Sequence, residues 1–222
     1  MEEEAWRDLT RILAHEMLNS LTPICSLAES LAALDPVSER AAIGDAVEVI
    51  GRRSAGLMRF VERYRRLADL PAPETVEVQA STLVAGLETL TRGMGAERGV
   101  TLECTVEPAD LTLVADPELI EQAVLNLLKN ALEAVAGAPD GRVRLICGVE
   151  SGQASITVVD NGPGLTPAQA EAVFAPFFTT KPGGSGIGLS LARQIALAHG
   201  GRLEHLTPRR GGAAFRLMLP GG

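Results

Sequence analysis

The chain has 222 residues, 46% of them hydrophobic but only 3% aromatic, so it can bury a sizeable core and that core must be aliphatic. A net charge of −8, with no basic run beyond Arg63–Arg66 and Arg209–Arg210, argues against nucleic acid as the main partner, because phosphate neutralisation needs a positive surface. No apolar run reaches the ~18 residues of a membrane helix, the acidic start MEEEAW lacks a signal-peptide pattern, and Cys25, Cys104 and Cys147 match no metal spacing, which predicts a cytoplasmic chain with no membrane segment and reduced, mostly buried thiols.

Residues 5 to 34 contain no glycine and one proline. Trp6, Leu9, Leu13, Met17, Leu21, Ile24, Ala28 and Leu31 recur at steps of three and four, one face of a helix. Asp35-Pro36 breaks the run, and Ile43, Val47, Ile50, Ser54, Leu57, Val61, Tyr64 and Ala68 repeat the spacing. Each helix would be ~45 Å long. An antiparallel hairpin of two such helices leaves much of its stripe exposed, and pairing with a second copy buries it in a four-helix bundle. The expectation is a homodimer through residues 5–68.

His15 lies two residues from both Leu13 and Met17, so it falls on the opposite, solvent side of the first helix. Glu16 is beside it and Asn19 one turn on. Neutral imidazole can attack an electrophile while a carboxylate orients the ring and takes its proton. The same residues also fit an ordinary surface histidine and glutamate. Pro23 removes the donor that the Asn19 carbonyl would normally have, and reads equally as a bending point or a tolerated kink. Pro71-Ala72-Pro73 then forms a stiff connector. The chain therefore reads as a helical domain over 1–70, a linker over 71–74 and a second domain over 75–222.

The second domain begins with short alternating runs: Val76 and Val78, Val100 to Val106, and Leu111 to Ala115, with a helix over 81–96 between the first two. Asp116-Pro117 is a helix start, Asp as N-cap and Pro at the first position, and the helix should run to about Ala136. On it Asn126 and Asn130 share a face, one i,i+4 step apart. They read as surface asparagines or as oxygen ligands for Mg2+. Strands over 142–149 and 154–159 end at Asp160, and Asn161-Gly162-Pro163-Gly164 is a turn. A short helix from Thr166-Pro167, a Phe-rich loop and GSGIGL (184–189) lead into a helix from Gly188 to His199. His199 suits that helix end as a cation, and 202–207 with 213–219 form a hairpin. Such glycine-rich turns around a helix start can cradle polyphosphate. There is no P-loop pattern, and from Gly184 the sixth position is Leu189, so the dinucleotide fingerprint fails.

Four segments in order, NLLKNA (126–131), DNGPG (160–164), FAPFF (174–178) and GSGIGL (184–189), resemble the N, G1, F and G2 boxes of the histidine-kinase ATP-binding domain. HEMLNSLTPI (15–24) resembles the H box of a dimerisation and phosphoacceptor hairpin, in the style of nitrogen-regulation sensor kinases. The resemblance spans about residues 5 to 219. It implies an α+β architecture: an N-terminal antiparallel helical hairpin, a four-helix bundle as dimer, followed by an α/β sandwich with a mixed sheet packed on helices, the Bergerat-type ATPase fold. It also implies ATP and Mg2+, with phosphotransfer to His15 and onward to an Asp of a response regulator receiver domain.

In that resemblance Asn130, helped by Asn126, would hold Mg2+, and Asp160 would accept from the adenine amino group. Gly162 and Gly164 would allow close approach to the nucleotide. Gly184, Gly186 and Gly188, with Leu189 after them, would fold a short lid over the phosphates, and Lys181 would neutralise phosphate charge. Asn126 stands where ATP-hydrolysing relatives carry a water-activating Glu, so ATP would be spared for His15. Glu16 and Asn19 match a pattern for dephosphorylating the regulator. Ser20 and Glu133 depart from the pattern, which commonly has Pro and a phosphate-facing Lys there. A second reading of the same residues is a nucleotide-regulated interaction module or phosphatase with little kinase activity.

Overall fold

The computed structural model describes residues 17–31, 40–181, 184–208 and 211–220. The chain divides into two units, Met1–Asp69 and Leu70–Gly222.

The first unit is the expected helical hairpin. Helix α1 covers residues 17–31 and continues through Pro23. Helix α2 is Arg40–Ala68. Of the expected α2 stripe, Ile43, Ile50, Ser54, Leu57 and Tyr64 are half-buried. Phe60 and Leu67 are buried, whereas Val47 is 56% and Val61 41% exposed. Adjacent residues on a helix lie roughly 100° apart, so two neighbouring stripes can both satisfy steps of three and four. Leu18, Leu21 and Met58 are exposed as well, giving this unit an apolar outer surface. Cys25 is exposed too, against the expectation of mostly buried thiols; Cys104 is half-buried and Cys147 buried.

The second unit is an α/β sandwich. Its elements are β1 (Val76–Gln79), α3 (Ala80–Glu97), β2 (Thr101–Val106), β3 (Thr112–Ala115), α4 (Pro117–Ala134), β4 (Arg142–Glu150), β5 (Gln153–Asp160), α5 (Pro167–Ala172), α6 (Gly188–Ala198), β6 (Arg202–Leu206) and β7 (Ala214–Leu219). Strands β2-β4-β5-β7-β6 form one mixed sheet, in which only the β2–β4 pair is parallel. Strands β1 and β3 make a separate antiparallel ribbon. Period-two alternation drives the burial: Val143, Leu145 and Cys147 of β4 point into the core while Arg142 and Arg144 are exposed. Leu145, Ile156 and Leu217 on the sheet and Leu87, Leu127, Leu128 and Ile195 on the helices are fully buried, so the core is aliphatic as composition requires.

Two local devices position the helices that matter below. Asp116 caps α4: Oδ1 accepts from the N–H groups of Glu118 and Leu119 at 3.1 Å each, and Pro117 occupies the first position. Its Oδ2 accepts from the Glu74 N–H at 3.0 Å, which ties the end of the proline connector to the start of α4. His199, at the end of α6, is not the cation its position suggests. Its Nε2 accepts the Asp116 N–H at 3.0 Å, and Nδ1 donates to the Ile195 carbonyl at 2.7 Å. A ring nitrogen that accepts carries no proton, so the imidazole is neutral and joins α6 to α4.

Candidate functional site

Helix α4 has two working faces. Leu119, Ala123, Leu127 and Ala131 are buried in the core, and Asn126, Asn130 and Glu133 line a cleft of about 460 Å3. That volume falls in the range of small-molecule sites, ~300–1,000 Å3. Asp160 lies at the cleft's base, the turn at Pro163–Leu165 and the loop before α6 form its sides, and Ala213 and Phe215 of the β7 region close the floor. Phe215 packs edge-on against Phe174, ring centres 6.0 Å apart, and so backs this wall with aromatic surface.

Asp160 is 5% exposed. Its Oδ1 accepts from the Gly162 N–H at 2.9 Å and the Ala213 N–H at 3.1 Å. No protein donor reaches its other oxygen among the described residues, which leaves a fixed acceptor for a ligand N–H in the cleft. Burial pushes the Asp160 carboxyl up from the ordinary aspartate range; the two N–H donors, then Lys181 and His205, pull it back. The neighbouring Asn161 faces away from this chemistry. Its Oδ1 accepts from the Arg142 N–H and its Nδ2 donates to the Asp140 carbonyl, both at 2.7 Å, so it staples the turn to the start of β4.

The glycines act on the protein's own backbone more than on open space. Gly162 does not line the cleft: a Cβ there would meet the Ala134 carbonyl and Asp160 Oδ1, both at 3.0 Å. Gly164 does line it, and a Cβ would stand 2.8 Å from the Gly212 carbonyl. Gly212 itself has φ +84°, and a Cβ on it would fall on the Asp160 carbonyl. Gly212 and the Ala213 N–H therefore build the Asp160 site, and sequence reasoning passed over both as an ordinary hairpin turn. Gly186 packs on the Phe177 backbone, whose N–H donates to the Gly186 carbonyl at 2.8 Å. Gly184 is tight against Thr179 and Lys181.

Helix α6 opens at Gly188 with Ile187 as N-cap and no side-chain cap, and Gly188 and Leu189 line the cleft. Its first-turn N–H groups are thus available to an anion there. Asn126 Oδ1 is the nearest atom that a Cβ on Gly188 would meet, at 3.5 Å, so the asparagine face of α4 and the start of α6 confront each other. Lys181 Nζ pairs with Glu133 Oε2 at 2.5 Å across the cleft mouth.

Among the described residues no three His, Cys, Asp or Glu side chains cluster for a metal. The donors present are the Asn126 and Asn130 carboxamides, neither engaged in a hydrogen bond among the described residues. Uncharged oxygens of this kind fit Mg2+, which keeps waters and takes its remaining ligands from phosphate, and do not fit a soft metal. Of His15, Glu16 and Asn19, Asn19 is exposed on α1, and His15 and Glu16 lie outside the described residues. No described helix is long and apolar enough to cross a membrane.

Residues 115–222 match the family described as histidine kinase-, DNA gyrase B-, and HSP90-like ATPase. Over 97% of its length the chain is 31% identical to nitrogen regulation protein NtrY of Azorhizobium caulinodans, and it spans 29% of that relative. The solved mycobacterial sensor histidine kinase MprB is 32% identical, with 66% of this chain and 97% of that one covered and a TM-score of 0.55. Histidine kinase ThkA, solved in complex with response regulator protein TrrA, has a TM-score of 0.67 over 97% of this chain and 61% of that one; at 24% identity this is a likeness of fold.

Proposed function

The chain belongs to the histidine kinase-, DNA gyrase B-, and HSP90-like ATPase family, as a histidine kinase catalytic core, and from that premise we propose that it is the ATP-dependent protein-histidine kinase of a two-component system. The observation that supports this most is the cleft: a fixed carboxylate acceptor at its base and an uncapped helix start at its side, the two ends of an adenine nucleotide. Asp160 binds the exocyclic amino group of adenine, which a guanine could not supply at that position. The α6 N–H groups and Lys181 take the phosphates. Asn130 and Asn126 would hold Mg2+, which when bound neutralises phosphate charge.

The His15 imidazole attacks the γ-phosphorus, the bond to the ADP oxygen breaks, and Glu16 takes the ring proton. The position from which ATP-hydrolysing relatives activate water carries Asn126 and no carboxylate, which favours His15 as acceptor. The phosphoryl group then passes to an Asp of a response regulator receiver domain. Asn19, exposed on α1, orients water for hydrolysis of that aspartyl phosphate, which releases inorganic phosphate and resets the regulator. The exposed Leu18, Leu21, Val47, Met58 and Val61 support a homodimer through residues 5–68, and ATP supply places the reaction in the cytoplasm.

The test is a label experiment with γ-phosphate-labelled ATP. The wild-type chain should acquire acid-labile label, and His15→Gln should lose it while still binding ATP. Continued labelling of His15→Gln sinks the assignment; ATP binding without any label in the wild type favours a regulated interaction module instead.

A further inference from the structure

Lys181 and Glu133 are 48 residues apart in sequence, yet their side chains meet at the mouth of the cleft. The only other charged side chains among its described lining residues are Lys129 and Asp160. With Asp160 ionised, two cations face two carboxylates, and the cleft offers no net positive charge to a polyphosphate. Both members of the pair are about half exposed, 40% for Lys181 and 46% for Glu133, so the pair contributes little to folding. Its consequence falls on whatever anion needs Lys181. Glu133 also stands three residues beyond Asn130 on the same helix face, within reach of the field of a cation held by that carboxamide.

Resting on the ATP-site reading above, we propose that Glu133 is a specificity-determining residue that makes nucleotide binding conditional on a divalent cation. Lys181 exchanges Glu133 for the nucleotide phosphates, and the cation offsets the carboxylate left behind. Without the cation an entering triphosphate meets an unpaired carboxylate and loses part of the attraction of Lys181.

ATP binding to the full chain, measured by titration calorimetry with Mg2+ and in EDTA, tests this. Glu133→Gln should tighten ATP in EDTA by about 10-fold, and with Mg2+ by less than about 3-fold. In a Lys181→Met background the gain in EDTA should shrink, because no ion pair remains to be exchanged. Thermal melting of Glu133→Gln should match the wild type. A wild type that binds ATP, paired with a Glu133→Gln that binds it no tighter in EDTA, overturns the inference and leaves the ATP site standing. A gain equal with and without Mg2+, or undiminished beside Lys181→Met, also overturns it. A wild type that fails to bind Mg-ATP at all removes the ATP site and the inference together.

Discussion

In the sandwich unit, Asp160 is held by N–H groups from two separate segments, and the Gly212 backbone closes on its carbonyl. In the helical unit, Val47, Val61, Met58 and Leu18 stand exposed. The sandwich unit builds its site from its own long-range contacts. The helical unit carries apolar surface that one chain does not cover. A nucleotide site needs atoms fixed to within fractions of an ångström, which interlocked backbone supplies. A phosphoacceptor must instead be reachable, and an exposed helix face supplies that.

The sharpest way to break this contrast is Gly212→Ala. The left-handed φ and the overlap with the Asp160 carbonyl should together cost about 3 kcal/mol, measured by urea unfolding. An unchanged unfolding midpoint would mean that the turn yields and the site is not interlocked. Next in size is Val47→Lys with Val61→Lys. Dimer association should weaken by about 30-fold, ~2 kcal/mol, in sedimentation equilibrium. Nucleotide affinity should stay unchanged, because the sandwich closes its site without that surface. An unaltered dimer would place the interface elsewhere.

Asp116→Ala should cost about 1 kcal/mol through the lost α4 cap. The N–H groups of Leu119, Glu74 and Glu118 hold the Asp116 carboxyl below its usual range. A depressed carboxylate adds stability above its unfolded value of ~3.9 and loses it as pH falls through the lower folded value. The difference between wild type and variant should therefore shrink as pH falls from about 4 and vanish below the lower folded value, and a difference that persists there would assign the effect to packing. Smallest of all, Arg52→Ala removes a pair with Glu48 in which both side chains are mostly exposed, and melting should not resolve it.

Much of this was legible because it is periodic. The strands, the Asp116-Pro117 helix start and the Asn126–Asn130 face follow from spacings of two, four or a cap, and all stand where the spacing puts them. What escaped is non-local. Gly211-Gly212 looks like any hairpin turn until Asp160, 52 residues earlier, is seen against it. Glu133 and Lys181 were each readable as charges, but nothing in the sequence pairs them. The stripe on α2 was legible in part: Ile43, Ile50, Ser54, Leu57 and Tyr64 are half-buried, but a period near 3.6 permits Val47–Val61 as well as Phe60–Leu67, and only burial separates them. The neutrality of His199 depends on the Asp116 N–H, 83 residues away, so its helix-end position misled.

The most direct measurement is ATP binding by the wild-type chain and by Asp160→Asn, titrated with Mg2+ present. One ATP per chain is expected for the wild type. Asp160→Asn should weaken binding by about 100-fold or more, because a carboxamide can turn a donor toward the adenine amino group where an acceptor is required. Equal affinity in the two proteins would contradict the assignment of this cleft as the adenine site.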